Sequence, residues 1–186
     1  METDQIPVLL PGTEFHPSPN CDPRPADAVI DLLVIHSISL PPGGYGGTGI
    51  DDLFLNRLDP DAHPFFATIH TLKVSSHLLI GRNGSIIQYV PFEMRAWHAG
   101  ASNFCGRGCC NDFSIGIELE GCDEDPYTDA QYLALVRATH WLMQRYPGIR
   151  ETRITSHSAI APGRKTDPGP HFDWRRYRKL LHALNG

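Results

Sequence analysis

Apolar residues along the chain form short runs separated by polar, glycine-rich and proline-rich stretches. Residues 29–35 are nearly all apolar and rich in β-branched side chains, which predicts a buried strand with His36 at its end. Residues 113–119 predict a second buried strand, with Glu118 and Glu120 at its end. Residues 74–80 and 86–90 flank an Asn-Gly pair, and this arrangement predicts a hairpin.

Two long helices are predicted in the second half of the chain. Thr128 and Gln131 have the spacing of a capping box, and apolar residues at helical spacing follow until Pro147-Gly148. Asp173 is the expected N-cap of a last helix with one apolar face. A shorter helix is expected over residues 50–56, whereas residues 41–47 and 59–64 are expected to be irregular.

These elements predict one mixed α/β domain over residues 1–186, in which a central mixed β-sheet is flanked by helices. At least three strands form its centre and the two long helices cover it. Residues 1–28 are polar and carry six prolines, so we expect an extended lead-in that lies over the domain.

Composition excludes several classes of partner. The net charge is −5 with neutral histidines, whereas nucleic acids and membrane surfaces both require a basic footprint. No apolar run approaches the roughly 20 residues that span a bilayer. The N-terminal residues are acidic and are interrupted by Pro7, whereas a secretory signal begins with basic residues and continues with a longer apolar stretch. We therefore expect a cytoplasmic protein with no nucleic-acid or membrane partner.

The chain has five cysteines, an odd number, and since no secretory signal is expected, we expect reduced thiols. Cys105, Cys109 and Cys110 are close in sequence, but their spacing matches no zinc knuckle or ribbon. Free thiols in a loop are the favoured interpretation.

The segment from His157 to Asp167 contains the strongest chemical signal. It places an imidazole, the Lys165 ammonium and a carboxylate within eleven residues, in a loop stiffened by prolines. A neutral imidazole and a carboxylate are zinc ligands, and a lysine between them can stabilise a developing negative charge. His36 is the best candidate for a third ligand. By itself it would more often be a core histidine, and Lys165 by itself a solvated loop lysine.

A hydrolytic metal site also needs a general base. Glu118 is the favoured candidate, because a carboxylate on an apolar strand has a cost unless it is paired or functional. Glu120 should point to the same side, so the pattern does not separate the two. Gly116 is expected to leave room for substrate. His98 is expected to line a pocket together with Trp97.

Several of these segments together resemble the bacterial AmpD-type 1,6-anhydro-N-acetylmuramoyl-L-alanine amidases, members of the zinc amidase and peptidoglycan-recognition superfamily. The resemblance runs from about residue 17 to residue 177. It is carried by LVIHSISLPPG (33–43), DPDAHP (59–64), VSSH (74–77), QYVPF (88–92), RAWHAG (95–100), CNDFSIGIELEG (110–121) and RKTDPGP (164–170).

The resemblance implies zinc bound by His36, His157 and Asp167 in a groove on one face of the sheet. It implies Glu118, rather than Glu120, as the general base, and Lys165 as the group that stabilises the oxyanion. The implied substrate is a 1,6-anhydromuramyl peptide, cut between the muramic lactyl group and L-alanine during cell-wall recycling.

Three positions depart from the pattern of the family, in which an asparagine and two arginines are common. These positions carry Ser37, Lys73 and Cys109, and the two arginines would hold stem-peptide carboxylates. Lysine keeps the positive charge of arginine but cannot bind a carboxylate through two parallel hydrogen bonds as arginine does, and cysteine loses the charge. Arg107 is nearby in sequence and is expected to help anchor the peptide. Ser37, Lys73, Trp97, His98 and Arg107 are therefore the predicted substrate-binding residues.

Two other functions are compatible with the sequence. One is a muropeptide sensor on the same fold that binds without cutting, and the other is a zinc hydrolase for a different N-acyl amino acid. The presence of all three ligands, the base and the lysine favours the amidase. We expect it to be a monomer.

Overall fold

A computed structural model describes residues 7–185 of the chain. It contains ten strands, five helices and two short 3-10 helices at Cys110–Asp112 and Glu151–Arg153 within that range. The strands are β1 (Glu14–Phe15), β2 (Cys21–Pro23), β3 (Leu32–Ile38), β4 (Leu78–Ile80), β5 (Ile86–Gln88), β6 (Met94–Ala96), β7 (Asn103–Phe104), β8 (Arg107–Gly108), β9 (Ser114–Glu120) and β10 (Ile154–Ser156). The helices are α1 (Gly49–Phe54), α2 (Pro64–Ile69), α3 (Asp129–Arg145), α4 (His157–Ile160) and α5 (Trp174–Asn185).

Six of the strands form one mixed sheet in the order β1-β5-β4-β9-β3-β10. Strands β4, β9, β3 and β10 are parallel, whereas β5 runs antiparallel to β4 in the predicted hairpin. The predicted fold class, a mixed α/β domain with a central mixed sheet flanked by helices, is confirmed.

The two longest strands, β3 and β9, determine which side chains reach each face of the sheet. They pair in parallel with His36 opposite Glu118. Side chains alternate along a strand, so Leu33 and Ile35 enter the main core together with Ile117. His36 and Glu118 therefore project from the other face.

Helices α3 and α5 cover the core face of the sheet. Helix α3 begins with the predicted capping box, in which the Thr128 hydroxyl accepts from the Gln131 backbone amide and the Gln131 side chain accepts from that of Thr128. Asp173 accepts from the Arg176 amide at the start of α5, as predicted. Apolar side chains of both helices then pack on the sheet. Within the described range, no helix is long and apolar enough to cross a membrane.

Helices α1 and α2 belong to a second apolar cluster, which lies on the other face of the sheet. Residues 59–64 were expected to be irregular, and the helix that begins at Pro64 was not predicted. Pro64 occupies the first turn of α2, where its missing N–H costs nothing, and the His63 ring accepts from the Phe65 amide at 3.1 Å. A histidine cap is not among the usual N-cap residues, so the pattern did not indicate a helix.

The lead-in is more than a segment lying over the domain. Strand β1 extends the main sheet beside β5, and β2 pairs with β6. The partly buried Arg24 guanidinium donates to the carbonyl oxygens of Phe92, Asn111 and Ser114. Residues 1–6 of the predicted lead-in lie outside the described residues.

Strand boundaries differ from the predictions in a consistent way. The first buried strand is Leu32–Ile38 rather than 29–35, so His36 lies inside it and not at its end. The hairpin strand begins at Leu78 rather than at residue 74. Apolar runs reflect burial and not strand pairing, which explains why they locate strands without fixing their ends.

Thr128 offers a test of how α3 is attached to the hairpin. Its hydroxyl caps the helix and also donates to the Arg82 carbonyl at 2.7 Å, in the hairpin turn. Thr128→Ala should lower the free energy of unfolding by about 0.5–2 kcal/mol, measured by urea denaturation. Thr128→Ser keeps the oxygen and should lose much less. Equal losses in both variants would contradict this role.

Candidate metal centre

Three side chains from distant parts of the chain converge on the open face of the sheet. His36 Nδ1 lies 2.9 Å from His157 Nδ1 and 3.2 Å from Asp167 Oδ2. His157 Nδ1 lies 3.1 Å from the same carboxylate oxygen. Two nitrogens and one oxygen thus form a compact triangle, which is an arrangement that can hold a metal ion.

Regular structure fixes the two imidazoles of this triangle. His36 lies in β3, paired on both sides by β9 and β10. His157 is the first residue of α4, directly after β10, and the Ser156 hydroxyl caps this helix through the Ala159 amide. The parallel pairing of β3 with β10 brings the two histidines to the same edge.

The carboxylate comes from the loop that the sequence singled out. The Asp167 carbonyl accepts from the Ser158 amide at 3.0 Å, which ties this loop back to α4. Burial would raise the pKa of Asp167, but the neighbouring His157 and His36 rings outweigh this effect and lower that pKa. Asp167 is therefore ionised at neutral pH, as a metal ligand must be.

Both rings can offer a lone pair to a metal. The His157 Nε2 lies 3.2 Å from the Ala99 carbonyl, which can only accept, and a hydrogen on Nε2 would leave the Nδ1 lone pair free. Burial lowers the pKa of His36 to about 4, so this ring is neutral at pH 7. Neutral imidazole is the form that binds metals.

Glu118 lies beside the triangle and is nearly excluded from solvent. Its Oε1 is 4.0 Å from His36 Nδ1, and its Oε2 is buried with no hydrogen-bond partner among residues 7–185. Burial and the negative charge of Asp167 raise the pKa of Glu118 well above its usual value, although Lys165 opposes this shift. A buried, unpaired carboxylate is costly to keep, so it marks a functional group.

Glu120 points to the same face as Glu118 but has a different role. One of its oxygens accepts from the Gly46 amide at 2.6 Å and the other from the Arg82 amide at 3.1 Å. It therefore ties the glycine-rich loop to the hairpin turn. The sequence pattern left these two carboxylates equivalent, and their hydrogen bonds distinguish them.

Gly116 does not leave room for substrate, and that expectation is wrong. A Cβ at this position would lie 2.5 Å from Cγ of the His98 ring. The space above Gly116 is thus filled by an imidazole. Burial, together with the neighbouring His36, lowers the pKa of His98 well below its usual value.

A cavity of about 310 Å³ opens beside the metal centre. Trp97, His98 and Lys165 line it, as do Glu118 and two of the proposed metal ligands. Much of the remaining wall is apolar, from α1, α2 and the segment that follows α2, and includes Leu53, Phe65, Ile69, Leu72 and Val74. The exposed Lys165 lies at the mouth, where its ammonium can reach a bound substrate.

The indole of Trp97 is held by a residue that the sequence did not indicate. Its Nε1–H donates to Asp22 at 3.0 Å, and Asp22 is in turn paired with Arg95. Asp22 belongs to β2 in the lead-in, 75 residues away in sequence. Only the β2–β6 pairing reveals this contact.

The other predicted substrate-binding residues are placed less directly. Ser37 lines the cavity, but it follows His36 on β3, so its side chain points to the opposite face, towards Tyr127. Lys73 is exposed between two residues that line the cavity.

Arg107 is directed elsewhere in the structure. Its guanidinium pairs with Asp31 at 3.1 Å and stacks on the Phe113 ring. Asp31 lies five residues before His36, about 16 Å along an extended chain. Arg107 would have to leave Asp31 to reach the cavity, so its predicted anchoring role has no support from its contacts.

The chain belongs to the N-acetylmuramoyl-L-alanine amidase family, whose pattern matches residues 26–170. Its similar relatives include the 1,6-anhydro-N-acetylmuramyl-L-alanine amidase AmpD of Salmonella typhimurium (strain SL1344). The two are 61 % identical over 165 residues, which cover 89 % of this chain and 88 % of the relative.

Solved structures give the same result. The crystal structure of a Se-Met AmpD derivative is 57 % identical, with a TM-score of 0.91, and the match covers 93 % of this chain and 96 % of that one. The amidase AmiD from E. coli was solved with the substrate anhydro-N-acetylmuramic acid-L-Ala-D-gamma-Glu-L-Lys. It is 33 % identical with a TM-score of 0.60, covering 84 % of this chain and 60 % of AmiD.

Metal content tests the triangle. His157→Ala removes one of the three proposed ligands, so the purified variant should hold far less metal than the wild type, measured by elemental analysis. Glu118→Gln should retain it, because Glu118 lies beside the triangle and not within it. Full metal content in His157→Ala would exclude this residue as a ligand.

Proposed function

We propose that this protein is a zinc-dependent amidase that cuts 1,6-anhydromuramyl peptides between the muramic lactyl group and L-alanine, in cell-wall recycling. The observation that carries the proposal is the buried triangle of His36, His157 and Asp167 with the unpaired Glu118 oxygen beside it. Family membership supports the same reaction.

The donor set favours zinc. Two imidazole nitrogens and one carboxylate oxygen, with a fourth position open, are typical of catalytic zinc. Donors about 2.0–2.2 Å from a tetrahedral zinc ion lie about 3.3–3.6 Å apart, so the observed triangle needs to open only slightly. Bound zinc would polarise the scissile carbonyl and lower the pKa of a water molecule.

Glu118 performs the proton transfers in this proposal. Burial and the charge of Asp167 raise its pKa, which favours a carboxylate that accepts a proton and later returns it. It takes a proton from the attacking water as the C–O bond forms. It then delivers that proton to the alanine nitrogen as the C–N bond breaks, which gives the lactyl carboxylate and a free amine.

Lys165 stabilises the negative charge that develops on the carbonyl oxygen. It lies two residues from Asp167 and lines the same cavity, so its ammonium can approach the reacting carbonyl. A positive charge at this point acts mainly on the transition state.

The cavity suits the muramyl part of the substrate. The AmiD complex shows that a family member binds an anhydromuramyl peptide. In this chain, Trp97 offers an aromatic face that Asp22 holds in place, and the apolar wall can pack against the C–H groups of a sugar and its lactyl ether. Ser37 and Lys73 stay predicted contacts for the peptide.

Hydrolysis is favoured over binding alone. A sensor would need the cavity but no base, and a buried unpaired carboxylate beside three metal donors would then be a cost without a function. Every group of the proposed site comes from one chain, so we propose a monomer. We also propose a cytoplasmic location, where the exposed thiols of Cys105 and Cys109 would stay reduced.

Glu118→Gln tests the base directly. This change keeps the size of the side chain but removes its ability to accept a proton, so turnover should fall by about 10²–10⁴-fold. The assay is release of free peptide from anhydromuramyl tripeptide, and metal content serves as the control. Near-normal turnover would mean that another group is the base.

Lys165→Met tests charge stabilisation. The variant keeps much of the side-chain volume, and kcat should fall by about 10²–10³-fold if the ammonium acts in the transition state. Lys165→Arg keeps the charge and should lose less. A rise in KM with unchanged kcat would assign Lys165 to binding instead.

A chelator distinguishes a zinc amidase from a muropeptide sensor. Wild-type protein treated with a chelator should lose peptide release and regain it with added zinc, whereas the sensor hypothesis predicts no release under either condition.

A further inference from the structure

We propose that His98 and Ser114 are positioning residues that fix the tautomer of His36, so that its Nδ1 lone pair faces the metal. This inference rests on the proposed metal centre. His98, which the sequence predicted to bind substrate, would instead orient the metal ligand His36 through the ring nitrogen that faces away from the metal.

The Cys110 carbonyl fixes the position of the Ser114 hydroxyl hydrogen, because a carbonyl oxygen can only accept hydrogen bonds. The Ser114 hydroxyl lies 2.5 Å from this oxygen and donates its one hydrogen there. Ser114 Oγ is also 3.2 Å from His98 Nε2. Since its hydrogen is already used, the hydroxyl must accept, and His98 carries its hydrogen on Nε2.

The position of the hydrogen on His98 in turn determines the tautomer of His36. In the neutral ring, a hydrogen on Nε2 leaves Nδ1 as an acceptor. His98 Nδ1 is 2.9 Å from His36 Nε2. His36 therefore donates from Nε2, and its Nδ1 has a free lone pair beside His157 and Asp167.

This selection matters because the opposite tautomer has a competing attraction. A hydrogen on His36 Nδ1 would point towards Asp167 Oδ2, 3.2 Å away. That hydrogen bond would stabilise the metal-free protein and would have to be broken when the metal binds. The bonds through His98 and Ser114 shift the ring to the form that binds.

The surrounding contacts leave the His98 ring little freedom to move. Asn111 Oδ1 accepts from the backbone amides of both His98 and Ala99, at 3.2 and 2.8 Å. The ring lies directly over Gly116, where any Cβ would collide with it. The glycine in β9 thus serves the imidazole that holds the metal ligand.

His157 has different neighbours, because its Nε2 lies 3.2 Å from the Ala99 carbonyl and 3.4 Å from the Arg164 guanidinium. The Arg164 guanidinium donates to that same carbonyl at 2.6 Å. The two metal-binding imidazoles therefore depend on different outer partners, and changes at His98 or Ser114 should act through His36 alone.

The direct test is nuclear magnetic resonance of the metal-free wild-type protein with ¹⁵N-labelled histidine. Long-range ¹H–¹⁵N correlations distinguish the two neutral tautomers. We expect Nε2–H for both His98 and His36. Nδ1–H on His98 would overturn the positioning role.

Variants test the consequence for metal binding. His98→Leu removes the acceptor for His36, and Ser114→Ala removes the acceptor for His98. Each should weaken zinc binding by about 10–100-fold, measured by competition with a chromophoric chelator. His98→Asn places an amide oxygen near the position of Nδ1 and should restore most of the affinity.

Ser18→Ala is the matched control for Ser114→Ala. Ser18 is also a buried serine that donates to a carbonyl, that of Phe54 at 2.6 Å, but it lies outside the metal centre. This control should keep wild-type zinc affinity. Unchanged affinity in folded His98→Leu and Ser114→Ala would contradict the inference.

These readouts are independent of the proposed reaction. If wild-type protein cleaves anhydromuramyl tripeptide but shows Nδ1–H on His98, the positioning role fails and the amidase stands. If the predicted tautomers and affinities are found but no peptide is released, the amidase fails and the positioning role stands.

Discussion

The structure depends on one constraint, which is that three electron-pair donors lie side by side where little water can reach. Two imidazole nitrogens and one carboxylate oxygen lie 2.9–3.2 Å apart. Lone pairs at that distance repel one another unless a cation lies between them. The parallel pairing of β3 with β9 and β10 holds these groups together. The fold keeps an arrangement that is unfavourable by itself, which is the usual mark of a site built for a ligand.

The sequence predicted much of this centre because the chemistry is concentrated in short segments. His157, Lys165 and Asp167 are close in sequence, and apolar runs located the strands of His36 and Glu118. The choice of Glu118 over Glu120 rested on resemblance alone. Only the structure shows the physical reason, which is that two backbone amides satisfy Glu120 and none satisfies the Glu118 oxygen.

Contacts between distant segments were not predictable from pattern. The lead-in looked like a loose cover, yet Arg24 binds carbonyl oxygens next to β9 and Asp22 holds Trp97. Gly116 looked like space for substrate because a glycine shows only that a side chain is missing. What fills the space depends on how β9 packs against the segment that carries His98. Tertiary packing decides such questions, and local sequence does not.

The most direct test of the central claim is an X-ray absorption spectrum at the zinc edge of the loaded protein. We expect a four-coordinate ion with nitrogen and oxygen neighbours at about 2.0–2.2 Å, two of them imidazoles. Sulfur neighbours at about 2.3 Å would place the zinc at the cysteines around Cys109 instead. That result would contradict the assignment of His36, His157 and Asp167 as the metal ligands.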